Sequence, residues 1–272
     1  VNFITSETRV SAARLVQTGT SVSMAHEVLD EPAADNFSPY DHRMTSIGSS
    51  PGPWSGDFIG VSYHGYAHSH LDALCHRFQF GTMYNGYSED EVTEAGCGQL
   101  AITAFKEGIF GRGIVMDFPR LRGVDWLENG TPITSDWLEE WEVANNIKIG
   151  SGDIVLIRTG RWMRRATLGP WNLAADSAGL HASSVSWFKD REVALIGSDS
   201  ALDVKPSLVE GYDSPVHALF LVALGMPIFD NLDLEAVSEE AQRQGRAEFL
   251  FTTAPLRVNG GTGSPLNPIA TF

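Results

Sequence analysis

Three short apolar runs recur along the middle of the chain, at residues 113–118, 153–158 and 193–197. Each is bounded by glycine or polar residues, a pattern typical of strands that are buried on both faces of a sheet. A further strand is predicted over residues 58–70. The chain therefore contributes several strands to one buried sheet.

Helical patterns lie between and after these runs, at residues 135–145, 217–225 and 234–244. The first has apolar residues on one side and Thr134 or Ser135 available as an N-cap. Strands that alternate with helices indicate an α/β domain, and the strand-rich first third favours a mixed sheet. We expect a single domain over residues 1–272, with residues 1–55 forming an irregular N-terminal arm.

The charge balance restricts the partners of the protein. The formal net charge is −15 in 272 residues, which speaks against nucleic acid as a partner, because phosphate binding relies on clustered Lys and Arg. No run approaches the roughly 20 apolar residues that cross a bilayer, and no signal peptide is visible. We therefore expect a cytoplasmic protein without membrane contact, in which Cys75 and Cys97 are reduced, buried thiols.

The candidate chemistry is concentrated in one segment. Four of the eight histidines, His64, His68, His70 and His76, lie within thirteen residues and surround Asp72. In an extended strand, alternate residues from position 64 to position 72 would share one face. Imidazoles and a carboxylate together suit zinc, manganese or iron(II). A structural metal site in a non-catalytic protein, or a nucleophilic pair of Cys75 and His76, are the alternatives.

The same segment resembles the signature of the cyclase-like metal hydrolases, the superfamily of bacterial kynurenine formamidase and isatin hydrolase. That signature reads His-x-Gly-Thr-His-x-Asp-x-Pro-x-His, and its last three polar positions match His70, Asp72 and His76. Tyr66 replaces the first histidine of the signature, so the resemblance leaves either His64 or His68 to take that place.

The resemblance extends over residues 55–268. It includes Tyr84-Asn-Gly86, Gly111-Arg-Gly-Ile-Val-Met-Asp117, Arg158-Thr-Gly160, Pro215-Val-His217, Asp230-Asn-Leu-Asp-Leu-Glu235 and Gly260-Gly-Thr-Gly-Ser-Pro265. It implies a mixed-sheet, swivelling β/β/α fold and a homodimer or homotetramer. His217 fits a metal-binding histidine of the formamidases, and Asp230 stands where they have a glutamate.

Together these observations predict a metal-dependent hydrolase that opens an amide, lactone or ester bond of a small, cyclic or aromatic molecule. We expect zinc or manganese as the cofactor. His76 and Asp230 are the predicted catalytic residues. The predicted metal ligands are His68, His70, Asp72 and His217, with His64 as a further ligand or a group that supports the ligands. Tyr66, Trp54, Phe78 and Tyr84 are the predicted substrate-binding residues.

Overall fold

The computed structural model describes all residues from Val1 to Phe272. The strands are, in chain order, β1 (Ser21–Ser23), β2 (Asp41–Ser46), β3 (Gly56–Gly60), β4 (His70–Asp72), β5 (Val92–Thr93), β6 (Gly96–Cys97), β7 (Ile109–Asp117), β8 (Pro132–Ile133), β9 (Ile154–Arg158), β10 (Gly179–Leu180), β11 (Leu195–Ser198), β12 (Ile228–Asp230), β13 (Glu248–Thr253), β14 (Gly263–Pro265) and β15 (Ile269–Thr271). The helices are α1 (Ser6–Ala13), α2 (Phe118–Arg122), α3 (Ser135–Asn145), α4 (Arg161–Leu168), α5 (Val185–Asp190), α6 (Pro215–His217), which continues as a π-helix over Ala218–Leu224, and α7 (Glu235–Gln244). Single 3₁₀ turns occur at Leu74–His76, Tyr84–Gly86, Glu89–Glu91, Ile102–Phe105 and Ala182–Ser184.

A nine-stranded sheet organises the molecule, in the order β1-β15-β13-β7-β9-β11-β12-β4-β14. Its centre, β7-β9-β11-β12, is parallel, and all other pairings in this sheet are antiparallel. The prediction of a mixed α/β sheet is confirmed. The edge strand β14 and its neighbour β4 come from distant parts of the sequence, and β4 contains His70 and Asp72.

Both faces of the central strands are buried. Along β9, Ile154 and Leu156 pack into one apolar core, whereas Val155 and Ile157 pack into the core on the opposite face. Such strands read as continuous apolar runs rather than as alternating ones. The three predicted strands in the middle of the chain are therefore confirmed, and β7 begins four residues before the predicted run.

The helices predicted from apolar spacing are also confirmed, as α3, α7 and the segment from α6 through its π-helix. Helix α1 was not predicted, because its eight residues are mostly polar and only Ala12 is buried. A capping box between Thr5 and Thr8 stabilises its start. The arm predicted to be irregular thus contains a helix, and Ile4 before it lies in the core.

The predicted strand over residues 58–70 is wrong for most of its length. Strand β3 ends at Gly60, β4 begins at His70, and residues 61–69 between them are irregular. Gly65 has a φ of 138°, which side chains other than glycine rarely adopt. Because this stretch is not extended, its histidines do not share one face.

The two cysteines form a disulfide, so the prediction of reduced thiols is wrong. The bond joins Cys75, in the 3₁₀ turn that also contains His76, to Cys97 in β6, and both residues are buried. A sulfur held in a disulfide is not a nucleophile, which removes the basis for a Cys75–His76 pair. Disulfides are typical of oxidising compartments, and the cytoplasmic location stays a prediction. No helix combines the length and apolarity that a membrane span needs.

Candidate metal centre

Two antiparallel strands set the base of the site. Strands β4 and β12 pair so that His70 lies directly opposite Asp230. Since alternate residues of a strand share a face, Asp72 lies on the same side as His70. Leu71 and Phe229 between them point the other way, into the core. Strand pairing therefore brings one imidazole and two carboxylates together at the carboxyl end of β12.

Asp72 is the centre of the group. Its Oδ1 lies 3.0 Å from His64 Nδ1 and 3.3 Å from His70 Nε2, and its Oδ2 lies 3.7 Å from His76 Nε2. Burial would raise the pKa of the Asp72 carboxyl. The nearby His76, together with the adjacent imidazoles of His64 and His70, instead holds that pKa well below its usual range. Asp72 is therefore an ionised acceptor at neutral pH.

His217 forms the opposite wall. Its Nε2 lies 3.1 Å from Asp230 Oδ2, and its Nδ1 lies 2.5 Å from Asp203 Oδ2. The backbone N–H groups of Val216 and His217 also donate to Asp203. Burial alone would lower the pKa of His217, but Asp230 and the hydrogen bonds to both carboxylates raise it well above its ordinary value. Asp203 thus fixes the orientation of the imidazole.

Hydrogen bonds also orient His70 and His64. His70 Nδ1 lies 2.8 Å from the carbonyl oxygen of His68, which can only accept, so Nδ1 carries the proton and Nε2 faces Asp72. His64 Nε2 contacts Thr262 Oγ1 at 2.9 Å. This leaves Nδ1 of His64 directed at Asp72. In both residues the distal partner therefore selects the nitrogen that faces the centre.

His76 closes the site from the 3₁₀ turn after β4. Its ring stacks on that of His64, with centroids 3.8 Å apart and an angle of 6° between the planes. Burial lowers the pKa of His76 to about 4, against the opposing effect of Asp72. The imidazole is therefore neutral at pH 7. Side chains of His64 and His76 remain 27% and 31% exposed, so the centre opens to solvent on their side.

The donor set fits a divalent cation. Both oxygens of Asp72, Oδ1 of Asp230 and Nδ1 of His64 are buried without a hydrogen-bond partner. Buried polar atoms are nearly always paired, so these unpaired acceptors, grouped around Asp72, suit a bound ion. Two overlapping groups place their ligand atoms within 4.8 Å of one another: His64, Asp72 and His76, and His70, Asp72 and Asp230. Both groups contain the nitrogen and oxygen ligands that zinc and manganese accept.

Of the predicted ligands, His68 lies apart from this centre. It is buried, its Nε2 lies 3.2 Å from the carbonyl oxygen of Ser38, and it belongs to neither group. The expectation that it shares a face with His70 depended on an extended strand, and the irregular backbone turns it away. His64 takes the place beside Asp72.

The predicted substrate-binding aromatics separate into two kinds. Tyr66 is half-buried and lines a small cavity together with His64. Burial and the charges of Asp213, Asp230 and Asp203 raise the pKa of its phenol. Trp54 lies in the loop between β2 and β3 and is 72% exposed. Phe78 packs against the core. Tyr84 packs against Gly225 and lines a cavity of about 400 Å³.

Sequence reasoning missed Asp203 and Thr262. Asp203 gives no motif signal, because an aspartate between β11 and α6 has no spacing relation to the histidine segment. Thr262 lies within a stretch that already resembled the cyclase-like hydrolases. Next to it, Gly263 is required because a Cβ at that position would lie 2.6 Å from the carbonyl oxygen of Leu71.

By fold and site, this protein is an α/β protein with a mixed sheet and a buried histidine–carboxylate centre at the carboxyl end of a strand. The family model described as "Putative cyclase" matches residues 12–203. A crystal structure described as a novel cyclase is 31% identical in sequence, with coverage of 100% of this chain and 94% of that chain and a TM-score of 0.86. The chain belongs to the cyclase family, and the resemblance predicted from the sequence is confirmed.

More distant structures share the fold. An isatin hydrolase bound to the product analogue thioisatinate has 19% identity and a TM-score of 0.64, with 98% of each chain covered. Isatin hydrolase A from Ralstonia solanacearum has 22% identity and a TM-score of 0.65, covering 92% of this chain and 91% of that one. Among curated protein sequences, none matches this chain significantly.

Proposed function

We propose that this protein is a metal-dependent hydrolase that opens an amide, lactone or ester bond of a small, cyclic or aromatic substrate. The observation that carries the proposal is the group of unpaired, buried acceptor atoms on His64, Asp72 and Asp230. Membership of the cyclase family supports it, as do structural neighbours described as isatin hydrolases.

His70, Asp72 and Asp230 would hold the cation at the base of the site, with His64 and His217 completing its surroundings. Zinc or manganese suits these ligands best, since none of them is a thiolate. When bound, the cation would lower the pKa of a water molecule towards neutrality and polarise the carbonyl under attack.

The side chains around the cation site would manage protons. His76 is partly exposed and its Nε2 lies 3.7 Å from Asp72 Oδ2, and in this proposal it accepts a proton from the attacking water and returns it to the leaving group. Asp230 Oδ2 lies 3.1 Å from His217 Nε2, and this carboxylate would orient the attacking water or share the proton. The raised pKa of Tyr66 keeps its phenol protonated, which suits a hydrogen-bond donor to a developing oxyanion.

A structural metal site in a non-catalytic protein is the competing hypothesis. Structural zinc sites are closed by four ligands, often cysteines. Here the solvent-facing sides of His64 and His76 leave the centre open, and both sulfurs are in a disulfide. The open side favours a catalytic centre that admits a substrate.

The test uses purified protein, stripped with a chelator and reloaded with zinc or manganese. We expect the loaded protein to hydrolyse at least one class among N-formyl arylamides, cyclic imides, lactones and aryl esters. Replacing His70 or Asp72 with alanine should remove both the metal and the activity, whereas His76→Ala should keep the metal and lose turnover. Full activity after chelation, or in His76→Ala, would contradict the proposal. Unfolding on chelation without any hydrolysis would support the structural alternative.

A further inference from the structure

The segment of residues 61–69 brings His64 to the centre and Tyr66 into the small cavity beside it, yet it has no strand or helix of its own. Ladder hydrogen bonds cannot hold an irregular segment, so its backbone groups need other partners. Residues 67–69 are nevertheless buried. The side chains that hold this segment are those that donate hydrogen bonds to its carbonyl oxygens.

Asn231 is the first of these side chains. It directly follows Asp230 and is fully buried, with a left-handed φ of 55°. Its Nδ2 donates to the carbonyl oxygen of Gly65 at 2.7 Å and to that of His68 at 3.5 Å. In return, Ser69 Oγ donates to the carbonyl oxygen of Asn231 at 2.7 Å. The segment is thus tied to the end of β12.

Arg161 is the second. It is the first residue of α4 and is 3% exposed. Its guanidinium donates a short hydrogen bond to the carbonyl oxygen of Tyr66, and it donates to Asn231 Oδ1 at 3.2 Å. An ion pair with the buried Asp35, at 3.2 Å, neutralises its charge. The planar fork of arginine suits several acceptors at fixed angles, which a lysine ammonium does not reproduce.

The start of α4 is itself held rigidly. The buried Asp199 accepts from the backbone N–H groups of Thr159 and Gly160, at 2.9 Å and 2.8 Å. The position of Arg161 is therefore set by the strand ends of the central sheet rather than by the segment that it holds.

We propose that Arg161 and Asn231 are positioning residues that fix His64 and Tyr66 relative to Asp230 and His70. The pair binds three carbonyls, those of residues 65, 66 and 68, and one member is covalently next to Asp230. Any shift of the segment would change the distance between the two halves of the centre. This inference rests on the proposed function for its catalytic consequence only.

Asn231→Asp tests the pair with almost no change in size. It keeps an acceptor for Arg161 but removes the two N–H donors and places a carboxylate beside two carbonyls. In hydrogen exchange followed by mass spectrometry, we expect the amides of residues 67–69, which are buried, to exchange at least about tenfold faster, as local opening becomes easier. The amides of β9 and β11 should be unchanged. The turnover number should fall by about a hundredfold, the effect of roughly 1 Å of misplacement, with a much smaller change in KM.

Glu142→Gln is the matched control. Glu142 is 2% exposed and accepts from Ile149 N–H at 2.8 Å and from Arg191 at 2.9 Å, outside the metal centre. The Glu142→Gln variant should have a lower free energy of unfolding, but the hydrogen exchange of residues 67–69 and the turnover number should not change. Arg161→Lys keeps the charge and should reproduce the faster exchange, because it loses the fork.

Exchange in residues 67–69 that stays at the wild-type rate in Asn231→Asp and in Arg161→Lys would overturn the inference. So would a loss of turnover no greater than in Glu142→Gln. If Asn231→Asp does not fold, the milder Ser69→Ala replaces it, with the same expected direction and the same overturning result. If the wild-type protein hydrolyses none of the substrates, the proposed function fails, while the exchange measurement still decides this inference.

Discussion

Asp203 offers the sharpest test of how the centre is built. Its carboxylate accepts three hydrogen bonds: from the backbone N–H groups of Val216 and His217, at 2.8 Å and 3.2 Å, and from His217 Nδ1 at 2.5 Å. Asp203→Asn preserves the shape but turns one oxygen into an NH₂ group. If the NH₂ group replaces Oδ2, this donor faces another donor, the backbone N–H of His217. The NH₂ group can then form a hydrogen bond with His217 Nδ1 only when Nδ1 carries no proton. The proton then moves to Nε2, which can no longer bind a cation.

The magnitude follows from this exchange of partners. Losing the carboxylate partner of a metal-binding histidine costs about 10–100-fold in metal affinity, or about 1.4–2.7 kcal/mol. Losing at least one hydrogen bond to a charged group should lower the free energy of unfolding by about 1.5–3 kcal/mol. Both effects have the same cause, because the same oxygen orients the ring and caps the start of the helix.

The assay is calorimetric titration of the metal-free protein with zinc or manganese, together with urea unfolding. Asp153→Asn is the matched control, since Asp153 is also buried and accepts a backbone hydrogen bond, from Gly150, but lies outside the centre. We expect a 10–100-fold higher Kd for Asp203→Asn alone. A folded Asp203→Asn protein that binds the metal within about twofold of the wild-type affinity, well short of that effect, would refute the reasoning.

Three further outcomes are expected. Thiol counting under denaturing, non-reducing conditions should find no free thiol, and two titratable thiols in that assay would contradict the pairing. Cys97→Ser should lower the free energy of unfolding by about 2–4 kcal/mol, as for the loss of a typical disulfide. Burial raises the pKa of Asp153 to about 6, so ionisation of this carboxyl lowers the free energy of unfolding as pH rises from about 4 to above 6. Asp153→Asn should remove up to about 3 kcal/mol of this pH-dependent loss of stability. Parallel curves of unfolding free energy against pH for the two proteins would disprove this. The exposed apolar side chains of the β2–β3 hairpin, among them Trp54 and Ile59, favour a homodimer or homotetramer. Light scattering should show this oligomer for the wild-type protein and a weaker one for Trp54→Arg. A wild-type protein that is monomeric at micromolar concentration would contradict this prediction.

The pattern of apolar residues in the sequence was enough to predict those strands and helices whose position depends only on burying an apolar face. The continuous apolar runs of β7, β9 and β11 are short and bounded by glycine or polar residues, which is typical of strands buried on both faces. The spacing in residues 135–145 buries one side of a helix. The pair His70 and Asp72 was predictable for the same reason, because residues two apart on a strand share a face whatever its neighbours are.

The tertiary structure decided the rest, because it depends on contacts between distant residues. Asp230 reaches His70 through strand pairing, and Thr262 orients His64 from 198 residues away. Asp203 is only 14 residues from His217, but no local pattern predicts that the two side chains meet. No local periodicity describes residues 61–69, whose path is set by side chains from β12 and α4; this placed His64 rather than His68 at the centre. The sequence by itself therefore determined three central strands of the sheet, the main helices and the chemistry of the ligands. The choice among four neighbouring histidines came from hydrogen bonds that only the folded chain can form.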